Sequence, residues 1–190
     1  MSHCWYKLNI DVKNCFLENY KFPTPSGRYG VWHPRAHEVF NQRWIQYVKS
    51  LGLPIYSVMI FYRDSYAHTV QAHVDIGKPD PFTLTNFAIN WCYGGAGSEM
   101  MWYNTPNEKK DITYTSANNP YMAWDIPKLT EIERTHLGEE VTLVRTGLPH
   151  AIRMDKEPRW VFSARCGIPD NSEWEQVVGL MREKNLIVER

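Results

Sequence analysis

The stretch Gln71-Ala72-His73-Val74-Asp75-Ile76-Gly77 sets an imidazole and a carboxylate two residues apart. Side chains alternate between the faces of a β-strand, so in a strand His73 and Asp75 point the same way. A neutral imidazole beside a carboxylate supplies two of the three protein ligands of a divalent metal. Nitrogen and oxygen donors with coordination positions left open suit iron(II) better than a closed zinc site. The third ligand has to come from elsewhere in the chain. The expectation falls on His150, in Gly147-Leu148-Pro149-His150-Ala151-Ile152. Nine residues further on, Arg159 opens the strand-like run Arg159-Trp160-Val161-Phe162-Ser163-Ala164-Arg165.

A His-x-Asp triplet by itself is a weak signal. The chain has seven His, and a His or Asp at a strand end is commonly a hydrogen-bonded structural residue. The joint pattern carries the metal reading: the triplet, a distant His in a strand-like context, then Arg at a short offset. His33 and His37 are four apart, a spacing that sets two ligands on one helical face. No Glu follows in the His-Glu-x-x-His manner, so they read as surface residues.

The elements that must position these residues are mostly strands. Trp5 to Asp11 alternates and reads as a first strand, with a short helical stretch from Asn14 to Tyr20. Phe22 to Tyr29 is rich in Pro, Gly and Ser and reads as loop. Pro34 to Leu51 has the three- and four-residue apolar steps of an amphipathic helix, with Pro34 for its first turn and Gly52 for its end. Beyond Pro54, strands are expected over Ile55–Tyr62, Val70–Ile76, Phe82–Tyr93 and Glu99–Tyr103, the last two joined by a turn at Gly94-Gly95-Ala96-Gly97. Pro106 to Ile112 is a charged loop, and the polar residues from Asp111 to Ala123 take no assignment. Val141–Arg145 and Arg159–Cys166 are strands, with a turn over Met154–Pro158. Ser172 to Lys184 closes as a helix, with Ser172 and Glu175 at capping-box spacing. Short strands with turns between them and helices near both ends predict a mainly β fold, a sandwich or jelly roll with helical buttresses.

Length and composition set bounds. A chain of 190 residues reads as one domain with one sizeable core. The 21 basic and 21 acidic residues balance, and no basic stripe is visible, so a nucleic-acid partner is not expected. Eight Trp and eleven Tyr suit a β-rich core and the wall of a substrate cleft. The cysteines, at positions 4, 15, 92 and 166, have neither zinc-finger nor CxxC spacing. The first residues do not read as a signal peptide, and no apolar run approaches membrane-spanning length. Free thiols in a reducing cytoplasm, with no membrane partner, are the expectation.

The set His73-x-Asp75, His150 and Arg159 resembles the iron(II)- and 2-oxoglutarate-dependent oxygenases. Its spacing is most similar to the prolyl-hydroxylase-type branch, and the resemblance spans Ile55 to Cys166. It implies a double-stranded β-helix, a cupin-like jelly roll, in a single domain. Residues 1–54 would add an N-terminal strand and helices, 55–166 the jelly-roll core, with an insertion around Asn104 to Leu137, and 167–190 a C-terminal helix. It also implies that His73, Asp75 and His150 hold iron(II), that 2-oxoglutarate and dioxygen take the open positions, and that Arg159 pairs with the far carboxylate of the cosubstrate. Tyr62 would set its phenol against the cosubstrate. Ser163 and Arg165, on the same strand face as Arg159, would extend the pocket, unless Arg165 pairs with an acidic neighbour. Asn86 and Asn90 are lesser candidates. Trp91, Met100, Met101 and Trp102 are expected to pack the core or the cleft walls, and His68 and His136 to sit in loops.

The implied activity is hydroxylation of an amino acid, or of a residue in a peptide or protein, with release of succinate and carbon dioxide. Two other classes stay open. One is a cupin-like metalloenzyme that does not use 2-oxoglutarate, against which Arg159 speaks. The other is a metal-free jelly-roll binding module.

Overall fold

In the computed structural model, described over residues 3–64, 71–79, 82–105, 110–115, 118–136, 138–167 and 173–189, the β-branched and aromatic runs form strands and the helices stay short. Along the chain run β1 (Trp5–Lys7), β2 (Tyr29–Trp32), α1 (Ala36–Val39), α2 (Gln42–Ser50), β3 (Ile55–Arg63), β4 (Gln71–Pro79), β5 (Phe82–Leu84), β6 (Phe87–Gly94) and β7 (Glu99–Tyr103). There follow β8 (Thr113–Tyr114), β9 (Pro120–Asp125), β10 (Glu131–His136), β11 (Val141–Arg145), β12 (His150–Arg153), β13 (Arg159–Cys166) and α3 (Trp174–Glu183).

The strands make two sheets. The first, of six strands, has the order β1-β11-β6-β13-β3-β2. The second, of seven, has the order β10-β7-β12-β4-β9-β8, with β5 hydrogen-bonded to β4 off that path. The pairs described are all antiparallel. Successive strands alternate between the sheets: β3 then β4, β6 then β7, β10 then β11, β12 then β13.

Period-two alternation decides what each face of the first sheet meets. One face carries Val58, Ile60, Phe87, Ile89, Trp91, Leu143 and Phe162, and packs with Val39, Phe40, Val48 and Val177 of the helical layer into the main core. The other face looks toward the second sheet. There Ala88, Cys92 and Val144 meet Met100 and Trp102 in a smaller apolar cluster that plugs part of the space between the sheets. Met101 and Tyr103 point out of the second sheet into a third cluster with Ala72 and Ala151. All four cysteines are buried free thiols. Among the described residues, no helix is long and apolar enough to cross a membrane.

Several elements differ from the sequence reading. The helix expected over Pro34–Leu51 is two helices. Phe40 leaves the helical conformation, at φ −101° and ψ 145°, to lie between Phe16 and Trp91 at ring distances of 5.3 and 4.9 Å. Asn41 then restarts the helix as its N-cap, its side chain accepting the Trp44 N–H at 2.8 Å. Gly52 ends α2 at φ +76°, a left-handed conformation that glycine adopts without strain. The strand expected over Phe82–Tyr93 breaks at Thr85–Asn86. Within residues 104–137, as far as they are described, β9 pairs with β4 and β10 with β7, so both belong to the second sheet. β1 falls within the first strand expected over Trp5–Asp11, whereas β2 is not expected from the sequence; the two form the edges of the first sheet. At the C-terminal helix the N-cap is Glu173, whose side chain makes no cap bond, and Ser172 lies outside the described residues.

Candidate metal centre

The site forms where β4 touches β12. On one side β4 pairs with β9 over Gln71–Asp75, and on the other it meets β12 at a single register point, His73 opposite His150. Ala72, Val74 and Ile76 are buried, at 0, 2 and 1% exposure, which fixes the parity of the strand. Ala72 packs in the cluster on the outer side of the second sheet, so His73 and Asp75, on the other parity, share the face that looks between the sheets. One donor atom from each of His73, Asp75 and His150 lies within 4.8 Å of the other two. The two imidazole centroids are 4.5 Å apart, and His73 Nε2 is 3.7 Å from Asp75 Oδ1.

Neighbouring groups set the donor chemistry. His150 Nδ1 is 2.9 Å from the Leu148 carbonyl, which can only accept. That nitrogen must carry the proton, which leaves Nε2 with its lone pair toward the cluster. Arg165 donates from Nη2 to Asp75 Oδ2 at 3.0 Å, so one carboxylate oxygen is anchored and the other faces His73. Burial pushes the His73 pKa down to about 3, helped by His150 and opposed by Asp75. About 30% of the His73 side chain still meets the cleft, but the dense protein around the rest of the ring governs its titration. Burial lowers His150 in the same way. Burial alone would raise the Asp75 pKa; Arg165, and after it the two imidazoles, outweigh it and hold the pKa below the ordinary carboxylate value. Near neutral pH the cluster is thus two neutral imidazoles and one carboxylate, the protonation state a divalent cation needs.

Two chambers meet at this cluster, and His73, Asp75, Phe61 and Arg63 line both. The inner one, about 90 Å³, runs between the sheets and ends against the apolar plug at Met100, Ile152 and Val161. Its polar wall comes from β13 and β6, through Arg159, Ser163 and Asn90. Arg159 is 3% exposed and donates from Nη2 to Cys92 Sγ at 3.1 Å, while its Nε has no partner in the protein. Asn90 Oδ1 is likewise buried without one. An unpartnered buried polar atom costs about 1–3 kcal/mol, so both atoms call for a polar ligand in the chamber. The Gly94–Gly95 turn permits the approach of Arg159. Gly95 sits at φ +59°, and a Cβ there would lie 2.8 Å from the Cβ of Arg159. The outer chamber, about 410 Å³, opens between β2 and β3 of one sheet and β9 of the other.

The structure brings His73, Asp75, His150, Arg159, Ser163 and Arg165 to one cavity, with Asn90 beside them. Tyr62 is a correction. On β3 the residues facing the cavity are Met59, Phe61 and Arg63. Tyr62 points to the opposite, helix-side face, where its ring lies 4.7 Å from that of Trp160. A strand reverses its side chains at each residue, so the family-like position one residue away belongs to the other layer. Asn86 lines neither chamber; its carbonyl accepts the N–H groups of Thr146 and Gly147. His33 hydrogen-bonds Asn119 at 3.0 Å, His37 is exposed on α1, and His136 pairs with Glu99 at 3.5 Å outside the cavity. His68 lies outside the described residues. Sequence reasoning missed Arg63, Tyr29 and Tyr121. Only Arg63 had a signal, as a charge closing an otherwise apolar strand on the Met59–Phe61 parity.

No family model matches this chain, and no curated protein matches it. Among solved structures, an X-ray structure of E. coli ycfD aligns with 75% of this chain and 33% of its own, at 9% identity and a TM-score of 0.37. The chain thus spans about a third of that protein's length, and a likeness this slight says nothing of function.

Proposed function

We propose that this protein is an iron(II)- and 2-oxoglutarate-dependent dioxygenase that hydroxylates an amino acid, or a residue within a peptide or protein. We further propose that its sheets form a double-stranded β-helix, a reading supported by the alternation of successive strands between them. The observation that carries the proposal is one closed path. Two imidazoles and a carboxylate converge within 4.8 Å at the neck of a cavity whose inner end holds a buried arginine with an unpartnered N–H.

The residues fit the group they would hold. Three protein donors of this kind form a facial set that leaves three positions open on iron. Iron(II) bound there supplies oxidation by dioxygen coupled to decarboxylation of 2-oxoglutarate, which yields succinate, carbon dioxide and a hydroxylated carbon. The Leu148 carbonyl fixes the His150 tautomer, and Arg165 holds Asp75 ionised and oriented. The Arg159 guanidinium, planar and charged even when buried, takes the far carboxylate of the cosubstrate, with Ser163 and Asn90 beside it. Met100, Ile152 and Val161 keep bulk water out of the inner end.

The test is anaerobic addition of iron(II) and then 2-oxoglutarate to the purified protein, followed by exposure to air. A weak visible absorption band, then succinate, is expected, and His73→Ala or Asp75→Ala should abolish both. Full succinate formation by either variant overturns the site. Metal uptake with no response to 2-oxoglutarate leaves a cupin-like metalloenzyme. No metal uptake leaves a binding module.

A further inference from the structure

Strand register builds the walls of the outer chamber. Tyr121 on β9 stands opposite Asp75, and Ala123 opposite His73. Residues directly opposite across a strand pair project to the same face, so both flank the candidate metal ligands. The Tyr121 ring stands edge-on to His73 at a centroid distance of 6.3 Å. Ala123 is short, and beside it the chamber reaches His73. From the first sheet, Tyr29 on β2 stands opposite Arg63, whose guanidinium lies 5.6 Å from the centre of the Tyr29 ring. Phe61 and Met59, on the same face of β3, complete this wall. Burial raises the Tyr29 pKa, Arg63 opposes the shift, and Asp75 and Tyr121 add to it. The Tyr29 phenol is therefore neutral near neutral pH, and it faces the same space as Asp75 and Tyr121.

The charged and polar side chains of the lining are engaged within the protein. Arg165 is paired with Asp75 at 3.0 Å, and its Nε, which has no partner, is buried. Gln71 Nε2 donates to Asp125 Oδ1 at 3.4 Å. Asn119 meets His33 Nε2 at 3.0 Å, and Thr115 Oγ1 accepts the Asn119 backbone N–H at 3.0 Å. Arg63 is engaged as well, on the Tyr29 ring. What the chamber offers a ligand is then ring surface, from both sheets, in a volume of about 410 Å³. Aromatic walls favour an aromatic guest. Rings gain from offset or edge-to-face contact beyond the area they bury, whereas an aliphatic body of the same size gains area alone. We propose that the outer chamber binds the substrate by a flat, uncharged ring held between Tyr121 and Tyr29, so that the amino acid or residue hydroxylated is a ring-bearing one. This inference rests on the function proposed above for its identification of the occupant as substrate. The binding itself needs only the chain.

The experiment compares phenylacetamide with cyclohexylacetamide, both uncharged and close in size, one with a flat aromatic ring and one without. Dissociation constants are measured by ligand-observed NMR titration on protein holding zinc(II), a diamagnetic stand-in for iron, and saturating 2-oxoglutarate, which keeps the probes out of the inner chamber. They are measured again on metal-free protein. Phenylacetamide is expected to bind about threefold to tenfold more tightly, the gain of one or two ring contacts. Tyr121→Leu should bring the ratio near unity, and Tyr29→Leu should lower it. Where Tyr121→Leu fails to fold, Tyr29→Leu, at a position 45% exposed, carries the test. A ratio near unity in the unmodified protein, no binding of either probe, or a ratio unchanged in every variant that folds overturns the proposal. Free phenylalanine and the blocked peptide acetyl-Gly-Phe-Gly-amide separate the sources. The tighter binder of the two tells whether the ring arrives on a free amino acid or on a polypeptide. If zinc and 2-oxoglutarate fail to bind while the metal-free protein still prefers phenylacetamide, the oxygenase reading falls and the ring site stands. If both bind and the ratio is near unity, the reverse holds.

Discussion

Strands β3 and β13 have two faces that do opposite work. On the helix side, Ile60 and Phe162 are 1 and 0% exposed, and Phe162 meets the rings of Phe16, Tyr20, Phe22 and Tyr93 at 5.0–5.7 Å. On the cavity side, one residue away in each strand, stand Arg63, Arg159, Ser163 and Arg165. Among the described residues, the charged and amide groups buried without a full set of partners are on this cavity side of the sheet, Arg159 Nε and Arg165 Nε on β13 and Asn90 Oδ1 on the neighbouring β6. Period-two geometry lets a single strand carry stability on one side and chemistry on the other. The helix face compensates for what the cavity face leaves unsatisfied.

If that division is right, the largest effect on stability comes from the helix face. Phe162→Ala should lower the free energy of unfolding by about 3–5 kcal/mol, read from chemical denaturation. A loss under about 1 kcal/mol would mean that the aromatic cluster is not what holds the sheet.

Of these two faces, acid should act on the cavity side. The helix-face thiols Cys15 and Cys166 are pushed up to about 12 and stay protonated throughout. His73 titrates near 3 when folded and near its ordinary value of 6.5 when unfolded. Between those values the unfolded chain binds the extra proton, so stability falls as pH falls, by up to about 1.4 kcal/mol per pH unit. His150 is shifted in the same direction. Asp75, also lowered, contributes stability that is lost on acidification through its folded pKa. Thermal melts of the metal-free protein from neutral to acidic pH should follow this slope, and His73→Gln with His150→Gln should flatten it. An unchanged slope in the double variant would place the acid-sensitive groups elsewhere.

A smaller effect separates holding a ligand from being one. Arg165→Leu removes the anchor of Asp75 but no metal donor, and should weaken manganese(II) binding about 10–100-fold in a competition titration. Unchanged affinity would leave the Arg165–Asp75 pair without a role in the metal site. The smallest effect tests the face assignment itself. Tyr62→Phe should change stability by no more than about 0.5 kcal/mol and leave 2-oxoglutarate affinity as it was. A marked loss of that affinity would put the phenol in the chamber and break the comparison.

Much of the candidate site was legible because it is local. His73 and Asp75 share a strand, and their common direction needs only alternation. Ser163 and Arg165 follow from Arg159 by the same rule. Tyr62 failed for a reason of the same kind: alternation says which residues share a face but not which face looks at the cavity. The break at Phe40 was not legible either, since what pulls that residue out of the helix is a ring pocket built from Phe16 and Trp91. Nor were β9, which follows a polar run, and β10, which is itself mostly polar; neither stands out until β4 and β7 pair with them.

By itself, then, the sequence determined the strand-rich character of the chain, the pairing of donors within β4 and the run of side chains along β13, because each depends on residues a few positions apart. Tertiary structure decided which parity of β3 faces the cavity, that His150 stands beside His73 across 77 residues of chain, and that Arg63 confronts Arg159. Those outcomes are set by antiparallel register between distant strands, and register is fixed only when both faces of a sheet find what covers them.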